Sequence, residues 1–219
     1  MSFLSLLVPG SALLLTKRNM LAFSIPLLGL GWVLVMSLTR WVIIPNGFMV
    51  MLVGLFTLHV ASYLWGILSD AKKRPVDGAY WIKFILIISL NIIFTLGCHL
   101  LKDRLLGFAF YHIPSQSMRP TLIAGDVILA DTWALNDRAV SIDDVIVVKR
   151  SAHSMLLVKR LKKTRFINNQ MELFIEGDNT TRSVDSRNFG WIPDDFVVGK
   201  AQFVWFSFTI KGRSFIDIQ

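Results

Sequence analysis

Three long apolar runs dominate the first hundred residues. Met20–Leu38, Trp41–Leu68 and Tyr80–Leu101 are each nearly free of charge. A helix that crosses the hydrocarbon core needs about 20 apolar residues, so each run predicts a transmembrane helix. The runs are too long for the apolar part of a cleaved signal peptide, and further spans follow the first. Leu4–Leu15 is also apolar but shorter and broken by Pro9-Gly10; it predicts an interfacial or re-entrant piece, not a span. After about residue 105 the pattern changes. Short β-branched and apolar segments (Val127–Ala130, Val145–Val148, Leu156–Val158, Leu173–Ile175, Val197–Val198, Phe203–Phe206) are punctuated by Gly125-Asp126, Asn136-Asp137, Asn168-Asn169, Gly177-Asp178-Asn179 and Pro193-Asp194-Asp195. That is a strand-and-turn pattern, and no long amphipathic helix interrupts it. The expected architecture is an α+β membrane protein. A helical anchor with about three spans, near 20–38, 41–68 and 80–101, fills residues 1–104, and a mainly β, partly closed barrel-like domain fills 105–219.

Charge refines this picture. The net charge of +8 invites a nucleic-acid reading, but residues 1–104 carry +6 of it and residues 105–219 only +2. The excess flanks the apolar runs, where it sets topology, and nucleic-acid binding is not expected. Lys17 and Arg18 precede the first run, Lys72, Lys73 and Arg74 lie between the second and third, and Lys83 begins the third. Arg40 alone separates the first two runs, and Lys102 and Arg104 follow the last. Retention of the larger group inside places the C-terminal domain outside the cytoplasm. The single cysteine, Cys98, lies within an apolar run, so no disulfide can form within the chain. His59, Asn91 and His99 are polar positions in or near the spans, and helix–helix hydrogen bonding is the expected role for such groups.

Candidate chemistry gathers in the C-terminal part. In Ile113-Pro114-Ser115-Gln116-Ser117-Met118-Arg119-Pro120-Thr121-Leu122 two serines sit in a loop bracketed by prolines that fix φ. Taken alone, Ser-x-Ser before Pro is usually a turn. Leu156-Leu157-Val158-Lys159-Arg160-Leu161 puts two cations next to each other on an apolar strand. Successive strand side chains face opposite ways, which predicts one of the pair inward and the other outward. An inward lysine is desolvated, its pKa falls, and a neutral amine can take a proton from a hydroxyl. Arginine stays protonated, so Lys159 is the base candidate if its face is the buried one. In Glu176–Pro193, Asp185 and Arg187 are placed to pair, and Ser183 can bond a lysine amine; the segment by itself also reads as a surface loop.

In order along the chain, Ser-x-Ser-Met-x-Pro-Thr, Gly-Asp-Val, a strand carrying Lys-Arg, and Gly-Asp-Asn…Ser-x-Asp-Ser-Arg-x-x-Gly resemble type I signal peptidases from Ile113 to Gly199. The resemblance implies a serine endopeptidase with Ser117 as nucleophile and Lys159 as general base. It implies an oxyanion hole built from the Ser115 hydroxyl and the Ser117 N–H, and Ser183 orienting the lysine amine. It implies Asp185 and Arg187 as a supporting pair, and Asp178 as structural support within the Gly177-Asp178-Asn179 turn. It implies no metal and no cofactor. The implied substrates are exported preproteins whose signal peptides carry small residues before the cut. The implied setting is the inner membrane, multi-pass in the lipid bilayer with the catalytic domain on the periplasmic side, and no protein partner is required. His112 and His153 are then ordinary surface or strand residues. Ser117 follows Arg104 by 13 positions, which limits the linker to about 45 Å; substrate is expected to add as a strand beside Phe110–Pro114 or Ser154–Val158.

Three features depart from the family's pattern, the first being that three spans is more than many members have. Leu161-Lys162-Lys163-Thr164-Arg165-Phe166 follows the Lys-Arg pair in place of a Gly-x-Pro-Gly-Asp turn, and Gly177 comes only 18 positions after Lys159. The chain therefore reads as a minimal catalytic core. The alternatives are a maturation peptidase devoted to a few substrates and a catalytically silent binding module of the same fold.

Overall fold

The computed structural model describes residues 2–16, 18–69, 77–134, 140–149 and 156–218, with side chains from Ser5 onward. Lys17, the Lys72-Lys73-Arg74 cluster, the Asn136-Asp137 turn, His153 and Ser154 lie outside the described residues. The chain divides into a helical unit, Met1–Val42 with Asn46–Lys102, and a second unit, Asp103–Gln219 with Ile43–Pro45.

The helical unit contains a short α1 (Ser2–Leu7), a 3-10 turn (Ser11–Thr16), and three long helices, α2 (Asn19–Leu38), α3 (Pro45–Leu68) and α4 (Gly78–Leu101). All three long helices have the length and apolarity to cross a membrane, with mean hydropathies of 2.1 for α2, 1.8 for α3 and 2.3 for Gly78–Leu106, which takes in α4. Where the apolar run predicted a second helix from Trp41, the helix starts at Pro45, and Trp41–Ile43 form a 3-10 turn. Arg40 sits at positive φ, which breaks the α-helical path, and proline suits a first helical position because it has no N–H to leave unpaired. At α4, the Asp77 side chain accepts the Tyr80 N–H at 2.8 Å and fixes the helix start.

The apolar N-terminal segment is packed inside this unit. Leu13 and Leu14 are buried together with Ala22, Tyr80, Phe84 and Ile87. Gly66 makes the fit possible, since a Cβ there would lie 2.6 Å from the Ala12 carbonyl oxygen. Small residues serve such close backbone approaches in membrane helices. Asn91 Nδ2 donates to Ile87 O at 2.9 Å and to Pro9 O at 3.5 Å, and His59 Nε2 donates to Leu6 O at 2.7 Å. Both polar groups thus tie the N-terminal segment to the long helices.

The second unit is a mostly β half-barrel. Its strands are β1 (Phe108–His112), β2 (Asp126–Asp131), β3 (Val145–Lys149), β4 (Leu156–Ile167), β5 (Gln170–Glu176), β6 (Ile192–Pro193), β7 (Val197–Ser207) and β8 (Ile216–Asp217). All pairings are antiparallel in the order β1-β2-β7-β3-β4-β5-β6, with β8 added to β7. Among the described residues of this unit, the α-helix α5 (Ser186–Phe189) is a single turn. An α+β membrane protein with an apolar helical part and a partly closed β domain is therefore the observed class.

Two expected segments, Val197–Val198 and Phe203–Phe206, are parts of one strand. Val197, Gly199, Ala201 and Phe203 are all buried, while Lys200 turns outward to Asp144 at 2.8 Å. The period of two thus runs through the glycine and the lysine. Likewise β4 continues nine residues beyond Val158. Its polar far end is held by β5 through a two-residue turn, Asn168-Asn169, both at positive φ, as a hairpin with matched twist requires. β3 is buried on both faces. Val145 and Val147 enter a core with Ile113, Met118, Leu122, Ile128 and Val204, while Ile146 and Val148 enter another with Leu161, Leu173, Ile175 and Val197. An unbroken Val-Ile-Val-Val run is the sequence form of such a strand.

Candidate active site

The loop after β1 holds Ser115 and Ser117, and its anchor is apolar. Met118 and Leu122 are fully buried in the first core, each worth about 1.5–3 kcal/mol of burial. That packing fixes the backbone on the C-terminal side of Ser117. Leu122 N donates to Met118 O at 2.9 Å, closing a tight turn, and the Arg119–Pro120 peptide within it is cis.

Lys159 comes from β4, in register with Ile146 of β3. Only 3% of Lys159 and 8% of Ser117 is exposed. Lys159 Nζ donates to Ser117 Oγ at 2.7 Å, and the Ser115 and Ser117 hydroxyls are 3.2 Å apart. Burial pushes the lysine pKa down; Asp185 opposes this and Arg187 reinforces it. The described arrangement can therefore hold a neutral amine against a hydroxyl, the geometry general-base chemistry needs.

The expectation for the neighbouring cation needs correction. Lys159 and Arg160 do face opposite ways along the strand, but Arg160 is also buried, at 9% exposed. The Gly177-Asp178-Asn179 turn covers it. Arg160 Nε and Nη2 bind the two carboxylate oxygens of Asp178 at 2.8 and 2.7 Å, and Nη1 donates to Asp143 O at 2.6 Å. Thr121 Oγ1 donates to the same carboxylate at 2.6 Å. Burial alone would raise the Asp178 pKa, but the Arg160 and Thr121 hydrogen bonds outweigh it and hold the carboxyl below its usual range. One bidentate pair thus ties the strand bearing Lys159, the loop bearing Ser117 and the Gly-Asp-Asn turn. Sequence reasoning missed Arg160 and Thr121. The available signal was Asp178, an acid with no cation beside it in sequence.

Asp185 and Arg187 are brought together by the turn of α5. Arg187 Nε and Nη2 bind the buried Asp185 carboxylate at 2.9 and 2.6 Å, and Gly177 N donates to it at 2.8 Å. Burial works against the anion, but these bonds prevail and hold its pKa well below the carboxylate range. Ser183 Oγ also donates to Asp185, at 2.5 Å. The described Ser183 hydroxyl is therefore given to Asp185, not to Lys159. Asn179 N donates to Ser117 O at 2.9 Å, and Asn179 Nδ2 to Gln116 O at 3.1 Å, so the turn holds the serine loop directly. Gly177 is where turn and loop press closest. A Cβ there would lie 2.6 Å from Ser117 O and would strike Ser183 Oγ.

A cavity of about 450 Å3 opens beside the two serines, walled by Tyr111, Ile113, Pro114, Val147, Leu157 and Val158 and reaching Lys159. Two strand edges border it. Among the described residues, β1 pairs with β2 alone, and β4 pairs with β5 from Arg160 onward, so that Leu156–Lys159 are bonded to β3 and not to β5. His112 lines the same cavity and contacts the Phe208 ring. A larger cavity, about 600 Å3, lies in the helical unit beside Val8, Ile88, Asn91 and His99; the described residues place no lysine–serine pair in it. Among the described residues, no group of three or more His, Cys, Asp or Glu side chains is placed to hold a metal ion.

A family model described as signal peptidase, peptidase S26, matches residues 80–162 and 166–206. Among curated relatives, signal peptidase I of Buchnera aphidicola subsp. Acyrthosiphon pisum is 36% identical over 61 residues, 28% of this chain and 19% of the relative. Signal peptidase I of Rickettsia typhi is 52% identical over 40 residues, 18% of this chain and 15% of the relative. The chain thus spans less than a fifth of the length of either relative. The family match takes in the last long helix, the serine loop, the lysine strand and most of the half-barrel, more than half the chain in all, and on that extent the protein belongs to the signal peptidase S26 family.

Proposed function

We propose that this protein is a membrane-anchored serine endopeptidase that removes signal peptides from exported preproteins at the outer face of the membrane. Ser117 is its nucleophile and Lys159 its general base. The observation that carries this reading is the 2.7 Å contact between a buried lysine amine and the Ser117 hydroxyl.

An extended peptide adds to the free edges of β1 and β4, with main-chain hydrogen bonds for affinity and the cavity for side-chain choice. Ser117 Oγ attacks the scissile carbonyl carbon as neutral Lys159 takes its proton. Negative charge collects on the carbonyl oxygen, where the Ser117 N–H and the Ser115 hydroxyl stabilise it; such a donor is worth about 3–4 kcal/mol. The amine leaves with a proton from Lys159, and an acyl-Ser117 ester remains. Water then attacks the ester with Lys159 again as base. Proton transfer by a positioned base contributes about 10²–10⁴-fold. Asp185 and Arg187 act through the lysine. The carboxylate alone would favour the charged amine, and the guanidinium paired to it offsets that pull. Ser183 and Asp178 are positioning residues.

The test is cleavage of a preprotein ending its signal peptide in Ala-x-Ala, in detergent, by wild type, Ser117→Ala and Lys159→Ala. Cutting by wild type alone is expected. Full-rate cutting by Lys159→Ala would remove the lysine from the mechanism, and an inert wild type on several preproteins would favour the binding-module alternative.

A further inference from the structure

Between the two serines stands Gln116, whose side chain is absent from the cavity wall that Ser115 and Ser117 share. Alternate residues of the loop therefore serve opposite sides. Gln116 Oε1 accepts from Arg182 Nη1 at 2.7 Å, and the Gln116 carbonyl accepts from Asn179 Nδ2 at 3.1 Å. Arg182 ends a 3-10 turn, Thr180–Arg182, that starts at Asn179, whose N–H is bonded to Ser117 O. The guanidinium is thus held against the outer side of the serine loop by two short links. It is exposed, and among the described residues it is paired with no carboxylate. Among the described residues, one of its five N–H donors is used on Gln116, which leaves four for a ligand.

We infer that Arg182 is a specificity-determining residue that selects substrates with a carboxylate side chain at the first or second position after the cut. The inference rests on the proposed peptidase reading. Residues before the cut fill the apolar cavity on one side of Ser117. The chain past the scissile bond leaves on the other side, over Gln116, where the fixed guanidinium stands. A planar fork with free donors fits a carboxylate in two-point contact. Gln116 keeps the fork in place, so less side-chain freedom is lost when the acid binds.

The experiment uses the full chain in detergent and a set of Ala-x-Ala preproteins with Glu, Gln or Lys at the first or second position after the cut. kcat/KM is measured for wild type, Arg182→Gln and Arg182→Glu. Wild type is expected to favour Glu over Gln by about three- to fivefold, the upper part of the range of an exposed ion pair, and to disfavour Lys. Arg182→Gln should bring the Glu/Gln ratio to about one, and Arg182→Glu should reverse the order of Glu and Lys. In wild type alone, the preference for Glu should shrink as salt rises from about 0.05 to 0.5 M. Equal ratios in all three proteins, or a wild-type preference indifferent to salt, overturn the role of Arg182 while leaving the peptidase reading intact. If wild type cuts none of the set, both fall together.

Discussion

Gly177→Ala is the most local perturbation available at this site. Gly177 is not among the positive-φ residues, so alanine can adopt its backbone conformation without strain, and the added methyl meets only the site. That methyl would lie 2.6 Å from Ser117 O, about 0.8 Å inside the 3.4 Å of an ordinary contact, and would also overlap Ser183 Oγ. The Ser183 hydroxyl can rotate away only by leaving Asp185, and Ser183 Cβ, also 2.6 Å from the added methyl, requires a small shift of its own segment. The Ser117 carbonyl cannot move alone, because it accepts from Asn179 N and its loop is anchored by buried Met118. The loop must therefore shift by most of that 0.8 Å, and a displacement near 1 Å can cost about a hundredfold in rate. The expected result is a kcat lowered about 30- to 100-fold, with a thermal midpoint within a few degrees of wild type. Adding Ser183→Gly should rescue little, since it relieves only the side-chain overlap. The assay is single-turnover cleavage of an Ala-x-Ala preprotein, read beside a melting curve. A Gly177→Ala protein that cuts at full rate would refute the argument that this turn positions the serine.

Lys159→Arg should abolish cleavage while retaining the fold, because arginine stays protonated; measurable turnover would exclude proton abstraction at this position. Since burial lowers the Lys159 pKa, kcat/KM should rise with pH and level off below the ordinary lysine value of 10.5. Arg187→Gln removes a group that lowers that pKa and unmasks Asp185, which raises it, so the rising limb should move to higher pH; a pH–rate profile showing no shift or an acid shift counts against the electrostatic role. Asp178→Ala leaves Arg160 buried without its carboxylate and should cost about 3–5 kcal/mol in thermal or denaturant unfolding, whereas Arg160→Met with Asp178→Ala should recover part of it. Asn169→Gly at the β4–β5 turn, where φ is 65°, should be neutral or stabilise by a few tenths of a kcal/mol; a clear loss would mean that the Asn169 side chain contributes to the turn.

The apolar runs were legible because membrane length leaves few readings for about 20 uncharged residues in a row. Strand positions were legible where Val and Ile mark a buried face, as in Val145–Val148. They were not legible where pairing rather than burial makes the strand. Lys162–Ile167 is polar or exposed and extends only because β5 lies beside it. The Lys159–Ser117 contact joins residues 42 positions apart, and no periodicity brings them together; the ordered motifs pointed to it, and the buried strand face supplied the geometry. Arg160 illustrates the opposite case. Its face looked outward because two-residue alternation knows of only two sides, while the turn that covers it arrives from residues 177–179. Ser183 stood next to its expected partner in motif order, yet its proton goes to the stronger acceptor, a buried carboxylate two residues on.

The β4–β5 hairpin closes through Asn168 and Asn169 alone, with Phe166 and Ile167 exposed before them. A two-residue closure brings the strand ends side by side, and lengthening a closed loop costs only about 0.6 kcal/mol for each doubling. This tip is thus a natural graft point: a whole folded module whose own termini lie close together can be spliced between Asn168 and Asn169 without disturbing the ladder that carries Lys159. The same economy describes an evolutionary path, in which a compact peptidase acquires bulk at the far end of one hairpin while its chemistry stays unchanged.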